Sequence, residues 1–235
     1  MPGYRCLVID AWRNEPQRMR YPRRMPTPST SNLQLPPPAK LERLSQSLAT
    51  LDAILCRDWD SRYYSHNNAW STDGNRMGSM RNGSGDDYYI LFTDAGAAIK
   101  GFAHESPLAN PGKPPTGVFT GFPSAIQGFL SEPAFTMEDT TFCLWCTSDG
   151  RWTTGPIALP ERQDTDGSEF LLALLGGAPA DYQSYAEGYF EVEIPLAAIE
   201  SIYAHRPLTG SLLRDLNPGI ELGELAQDLA EIGYP

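Results

Sequence analysis

The stretch SMRNGSGDDYYILF, residues 79–92, runs two glycines, a serine and two aspartates into aromatic and aliphatic residues. Three structures could produce that pattern: a phosphate-cradling loop, a calcium loop, or the turn between two strands. A Walker loop needs Lys-Ser/Thr after its last glycine and a helix behind it, and a dinucleotide loop needs G-x-G-x-x-G opening a helix. Here Gly85 is followed by Asp86 and Asp87, which repel phosphate, and then by a β-favouring run. The turn reading remains. Asn82-Gly83 or Gly85 supplies the positive φ that a tight hairpin requires, and YYILF enters the core.

Working outward, SRYYSHNNAW (61–70), RMGSM (76–80), YYILFT (88–93) and AAIKGFAH (97–104) are short β-like runs separated by STDGN, RNGSGDD and TDAG. This spacing predicts a four-strand antiparallel meander. TTFCLWCTSDGRWTTG (140–155) predicts a further hairpin across Ser-Asp-Gly. Between them, PLANPGKPPTGVFTGFP (107–123) reads as a Pro/Gly loop, and PSAIQGFLS (123–131) as a short helix with Pro123 in its first turn.

On the N-terminal side, AKLERLSQSLATLDAILC places Leu41, Leu44, Leu48, Leu51 and Leu55 at spacings of three and four, one stripe of an amphipathic helix. Past residue 165 the chain predicts helices over 166–177, 179–192, 195–205, 208–217 and 221–233. Asp181, Thr209 and the C-terminal glycines serve as start and stop signals. The fold class expected is α+β: an antiparallel sheet, meander plus an additional hairpin, packed with several helices on one face, with a helical C-terminal third.

Charge divides the chain. Of its 18 basic and 29 acidic residues, seven and two respectively fall in residues 1–40, leaving 11 basic and 27 acidic for the rest. Residues 1–38, with QRMRYPRRMPTPSTSNLQLPPP, read as a disordered or extended basic Pro/Arg-rich tail. Residues 39–235 read as a single acidic α+β domain. That acidity argues against nucleic acid and anionic membrane as partners and makes a basic protein the natural complement. Four cysteines are too few for a disulfide scaffold in a chain of this length, and no apolar run approaches a membrane span. The expected compartment is the cytoplasm.

Chemistry is sparse. Cys143-Leu144-Trp145-Cys146 is a CxxC inside a predicted strand, where positions i and i+3 point to opposite faces; the two thiols are read as core. DTDGSE (164–169) begins like a calcium loop but lacks the third ligand and the distant Glu. Asp166 is read instead as the cap of the helix that follows. No metal or cofactor is expected. The histidines His66, His104 and His205 are scattered, and His205 closes a predicted helix, where the dipole favours its charged form.

The stretches SMRNGSGDDYYILFTDAGAAIKGFAHES, FTMEDTTFCLW, IYAHRPLT and LAQDLAEIGYP resemble a family of uncharacterised bacterial proteins over about 40–235. That resemblance implies a cytosolic protein and no particular activity. Likeness to immunity proteins is one of size, class and acidity alone.

Two functional expectations follow. The first is a non-catalytic, protein-binding acidic domain, of the immunity-inhibitor type, with a basic partner. Its candidate contacts are Arg81, Asp86, Asp87, His104, Glu105, Glu138 and Asp139. Trp59, Tyr63, Tyr64, Trp70, Tyr88 and Tyr89 are its candidate aromatic anchors. The alternative is a hydrolase-like enzyme whose site is assembled from distant loops around His104 and His205.

Overall fold

The computed structural model describes residues 34–147, 150–157 and 166–235. Six strands, β1 (Tyr64–Asn67), β2 (Arg76–Arg81), β3 (Asp87–Thr93), β4 (Gly96–Phe102), β5 (Phe142–Cys146) and β6 (Trp152–Thr154), form one antiparallel sheet in chain order. The meander and the later hairpin are therefore parts of a single sheet, because β5 pairs with β4, Ile99 opposite Leu144. The helices are α1 (Pro38–Leu55), α2 (Ser168–Leu171), α3 (Pro179–Phe190), α4 (Leu196–Tyr203), α5 (Gly210–Leu216) and α6 (Ala226–Ile232).

Strand alternation sorts the side chains onto two faces. Tyr64, Met80, Tyr88, Ile90, Phe92, Ile99, Phe142 and Leu144 meet α1 and the C-terminal helices in the larger core. Met77, Leu91, Ala98, Cys143 and Trp145 face the other way. The expectation of helices on one face omitted what covers this second side. It is the Pro/Gly-rich connection after β4, whose Val118, Ile126, Phe129 and Phe135 close a second, smaller core. Residues 123–131 form a 3-10 segment, Ser124–Ser131, and not an α-helix; Ile126 breaks its dihedrals at φ −125°. Pro133–Phe135 adds another such turn.

α1 departs most from its sequence pattern. The leucine stripe predicts a polar face in water, yet Ser45, Gln46, Ser47, Thr50 and Asp52 are buried together with the leucines. The C-terminal helices lie over that face, so α1 is the central rod of the molecule. Buried polar groups need partners, and these become joints to distant segments. Gln46 Nε2 donates to the Ile232 carbonyl (3.1 Å), Ser47 Oγ to the Ile202 carbonyl (3.1 Å), and Ser45 Oγ meets His66 Nδ1 (3.0 Å).

The remaining C-terminal predictions hold in outline. Thr209 Oγ1 accepts from Leu212 N (3.2 Å), Asp181 Oδ2 accepts from Ala178 N (3.0 Å), and Gly233 ends α6 in the left-handed region. Residues 166–177 shorten to α2 and a 3-10 turn, Ala173–Leu175. The N-cap of α2 is Gly167, in the left-handed region, and not Asp166 as expected; from one residue earlier Asp166 Oδ1 accepts from the amide (3.0 Å) and hydroxyl (2.7 Å) of Ser168 in the first turn, and Asp164 lies outside the described residues. Of the predicted tail, residues 1–33 lie outside them as well. From Gln34 onward the chain is anchored: Leu35 packs on the larger core and the Pro36 carbonyl accepts from Trp152 Nε1 (2.9 Å). Among the described residues no helix is long and apolar enough to cross a membrane.

Candidate binding face at one end of the sheet

The hairpin from β2 to β3 turns through Asn82–Asp86, with Gly83 and Gly85 at φ 70° and 103°. Asn82 organises the turn. Its Oδ1 accepts from the Ser84 (2.8 Å) and Asp86 (3.1 Å) amides, and its Nδ2 donates to Asp86 Oδ2 (2.6 Å). The other oxygen of Asp86 accepts from both the amide (2.8 Å) and Nδ1 (2.7 Å) of His104, the second residue beyond β4. With three side-chain and backbone donors around it, the Asp86 carboxylate is an internal fixture. It leaves Nε2 as the remaining nitrogen of a ring whose side chain is 41% exposed.

Asp87, Lys100 and Asp139 form a second unit on the smaller-core side. Lys100 is fully buried; its Nζ lies 2.9 Å from Asp87 Oδ1, donates to the Asp139 carbonyl (2.7 Å) and sits 5.5 Å from the Tyr89 ring centre. Burial pushes the Asp87 carboxyl up and the Lys100 ammonium pulls it back. Asp139 Oδ1 in turn accepts from Gly112 N (2.8 Å), fastening the Pro/Gly connection.

The seven sequence candidates thus gather at one sheet end, but in unequal roles. Asp86, Asp87 and Asp139 are engaged in holding loops, Glu105 and Glu138 are exposed, and Arg81 and His104 present surface. His205 belongs elsewhere. It donates from Nε2 to the carbonyl of Arg43 (2.7 Å), whose neighbour Glu42 pairs with Arg76 at the start of β2, the opposite sheet end from Arg81. His104 and His205 therefore share no site. The helix-end expectation for His205 also fails: partial burial lowers its pKa, outweighing the contact to the Arg43 carbonyl. Cys143 and Cys146 lie on opposite faces as expected, and burial pushes the Cys143 thiol up. Among the described residues no group of three or more His, Cys, Asp or Glu side chains could hold a metal.

Among the described residues the most exposed aromatic side chain, Trp59, lies beside this loop. After α1 the chain makes a 3-10 turn, Trp59–Ser61, capped by Asp58, whose carboxylate accepts from Asp60 N (3.2 Å) and Ser61 Oγ (2.9 Å). The turn projects Trp59, 49% exposed, and the Arg81 guanidinium lies over its ring at 4.1 Å. Arg81 N donates to the Tyr63 carbonyl (2.9 Å), and the Tyr63 ring stands 4.3 Å from that of Tyr189 on α3. Tyr189 donates its hydroxyl to the Ser61 carbonyl (3.0 Å) and meets Phe190 edge-on at 4.8 Å.

Trp59, Arg81, Tyr63, Tyr189 and Phe190 make one continuous, partly exposed shelf, with exposed Asp58, Asp60, Glu191 and Glu193 carried by its two walls. Of the six predicted anchors, Trp59 and Tyr63 belong to it. Tyr64 and Tyr88 are core, and Trp70 and Tyr89 stack on Phe135 in the smaller core. Sequence reasoning missed Tyr189 and Phe190, which reach the shelf only through α3.

A pocket of 190 Å³ near the base of α1 carries the ion pairs Arg57–Glu224 (2.8 Å) and Arg62–Asp228 (2.8 Å), so its charges cancel internally. It is smaller than the roughly 300–1,000 Å³ of small-molecule sites.

No protein-family model, no curated protein and no solved structure matches the chain.

Proposed function

We propose that the protein is a non-catalytic binding module whose Trp59–Arg81–Tyr63–Tyr189–Phe190 shelf docks a basic protein. The carrying observation is the exposed Trp59 clasped by Arg81 between Asp58 and Asp60. Tryptophan, tyrosine and arginine are the residue types that dominate binding energy at interfaces. Aromatic faces attract guanidinium and ammonium groups, and the acidic rim steers such a partner in at a salt-dependent rate. Inhibition of that partner, as an immunity-type protein would act, is the finer form of the same proposal. The test is affinity capture from the native host at low salt with wild type, Trp59→Ala and Tyr189→Ala. A basic protein retained by wild type, lost from both variants and released by salt supports the reading. A partner indifferent to both substitutions, or none at all, refutes it.

A second reading, a hydrolase-like enzyme, is favoured by one observation: the His104 ring is oriented through Nδ1 by a buried carboxylate. That is the base-and-orienter half of a catalytic constellation. With His205 at the other sheet end, such a site would have to draw its nucleophile from water or substrate. Loss of a measured hydrolysis in His104→Gln and its decline in Asp86→Asn would carry it; equal rates in all three proteins would end it.

A further inference from the structure

Asp52 sits near the C-terminal end of α1 with no exposed surface. Its Oδ2 accepts from the amides of Tyr63 and Tyr64 (2.9 Å each), and its Oδ1 from the Tyr182 hydroxyl (2.8 Å). One carboxylate therefore ties together the two walls of the binding shelf: the entry to β1, which carries Tyr63, and α3, which carries Tyr189 and Phe190. Tyr185, one turn before Tyr189, packs on Tyr63 (5.5 Å), Tyr64 (5.5 Å) and Tyr182 (5.5 Å), so the tie and the shelf share one aromatic cluster.

Among the described residues Asp52 has no counter-ion in salt-bridge contact. The cation nearest in effect, Arg62, gives both terminal nitrogens to Asp228 (2.8 and 3.1 Å) and its Nε to the Cys56 carbonyl (2.8 Å). The other groups facing Asp52 are phenols: Tyr63 and Tyr64 before and in β1, Tyr182 and Tyr185 on α3, and Tyr203 on α4. Burial holds Tyr63 up at about 12 and pushes Tyr182, Tyr185 and Tyr203 well above the ordinary phenol value. Asp86 adds to the rise of Tyr63, and Asp181 to that of Tyr203. Through neutral pH, then, Asp52 is the member of this cluster that changes charge. Burial raises its carboxyl to about 7 against three hydrogen bonds and Arg62.

Resting on the shelf as the docking surface, we propose that Asp52 is a proton-operated clamp on it: protonated, it holds the β1 entry and α3 together; ionised without a counter-ion, it loosens them. A buried charge held by hydrogen bonds alone, with no ion of opposite sign, is disfavoured against its solvated form, and the structure can relieve it by admitting water at the joint between Tyr63 and Tyr182. Docking then strengthens on mild acidification.

The experiment separates the clamp from the docking. Protection of the Tyr63 and Tyr64 amides, corrected for intrinsic exchange, and near-ultraviolet circular dichroism are followed from pH 5.5 to 8.5 in the isolated protein. Wild type is expected to show one single-proton transition near neutrality, absent in Asp52→Asn. In Tyr182→Phe the midpoint moves up, because a donor that favours the charged form is gone. A transition of the same midpoint in Asp52→Asn, or no transition in wild type, overturns the clamp. Should Asp52→Asn not fold, an unmoved midpoint in Tyr182→Phe does the same. Binding of a labelled octa-arginine peptide is then measured at pH 6 and 8. Wild type is expected to lose up to about tenfold in affinity per pH unit above the transition, and Asp52→Asn nothing. Binding that is unaltered in Trp59→Ala points to failure of the shelf as docking surface, and the exchange and dichroism transitions then decide the role of Asp52 by themselves.

Discussion

Ser45 of α1 lies directly over Gly78 of β2: a Cβ built on that glycine would collide with the Ser45 hydroxyl, which is itself held by His66. Helix and sheet touch there, backbone against side chain. Gly78→Ala must push α1 away or eject Ser45 from His66, and is expected to lower stability by about 1–3 kcal/mol. Urea unfolding checks this, and the double variant Gly78→Ala/Ser45→Ala should recover part of the loss.

Lys100 offers a larger effect. Removing a buried partner of an ion pair leaves the other charge uncompensated. Lys100→Ala should destabilise by about 3 kcal/mol, tempered by the partial exposure of Asp87, and Lys100→Ala/Asp87→Asn should be milder than the single change. Equal stability of the single and double variants would mean that Lys100 acts through packing and not through charge.

At the shelf the expectation reverses. Trp59→Ala removes an exposed ring and one cation–π contact, so stability should change by no more than about 1 kcal/mol. Affinity for the basic partner should fall by about 2 kcal/mol or more, roughly thirtyfold, as at interface hot spots. Thermal unfolding beside titration calorimetry reads both quantities on one preparation.

Two buried groups give opposite pH slopes. Burial lowers His66 from 6.5 to about 3, with Arg76 and His205 adding to it. The unfolded chain thus binds the extra proton, and stability is lost as pH falls from about 6.5 towards 3. Asp52, raised from 3.8 to about 7 chiefly by burial, binds its proton in the native state, and stability is lost as pH rises from about 4 through 7. Between about pH 4 and 6.5 the two contributions oppose each other. Substitution unmasks them: relative to wild type, His66→Gln should gain a slope of about −1.4 kcal/mol per pH unit and Asp52→Asn one of about +1.4. Denaturant unfolding across this window measures the differences, in which titrations common to all three proteins cancel.

How much of this was legible in the sequence depended on range. The turn at Asn82–Asp86, the meander and the opposed faces of Cys143 and Cys146 are local consequences of residue type and period two, and the pattern states them. The surroundings of α1 were not legible. Its Ser, Gln, Thr and Asp read as a wetted face because nothing nearby says that helices more than a hundred residues later will cover them. The same limit applied at the candidate site. Asp86, Asp87 and Asp139 were visible as carboxylates, but their engagement by His104, Lys100 and Gly112 is tertiary. Trp59 and Tyr63 were visible among the candidate aromatic anchors, whereas Tyr189 and Phe190 join them only through the docking of α3.

Every strand in this sheet pairs with its neighbour in the chain, yet β4 and β5 are separated by the long excursion from Ala103 to Thr141 that roofs the smaller core. A cut in the exposed turn around Asn110–Lys113 would sever the chain without breaking a strand. The two pieces would remain interlocked, since β5 is hydrogen-bonded to β4 and the C-terminal helices grip α1. The molecule is in this sense two complementary halves, and its N-terminal and C-terminal portions, expressed separately, are natural candidates for reassembly into one sheet.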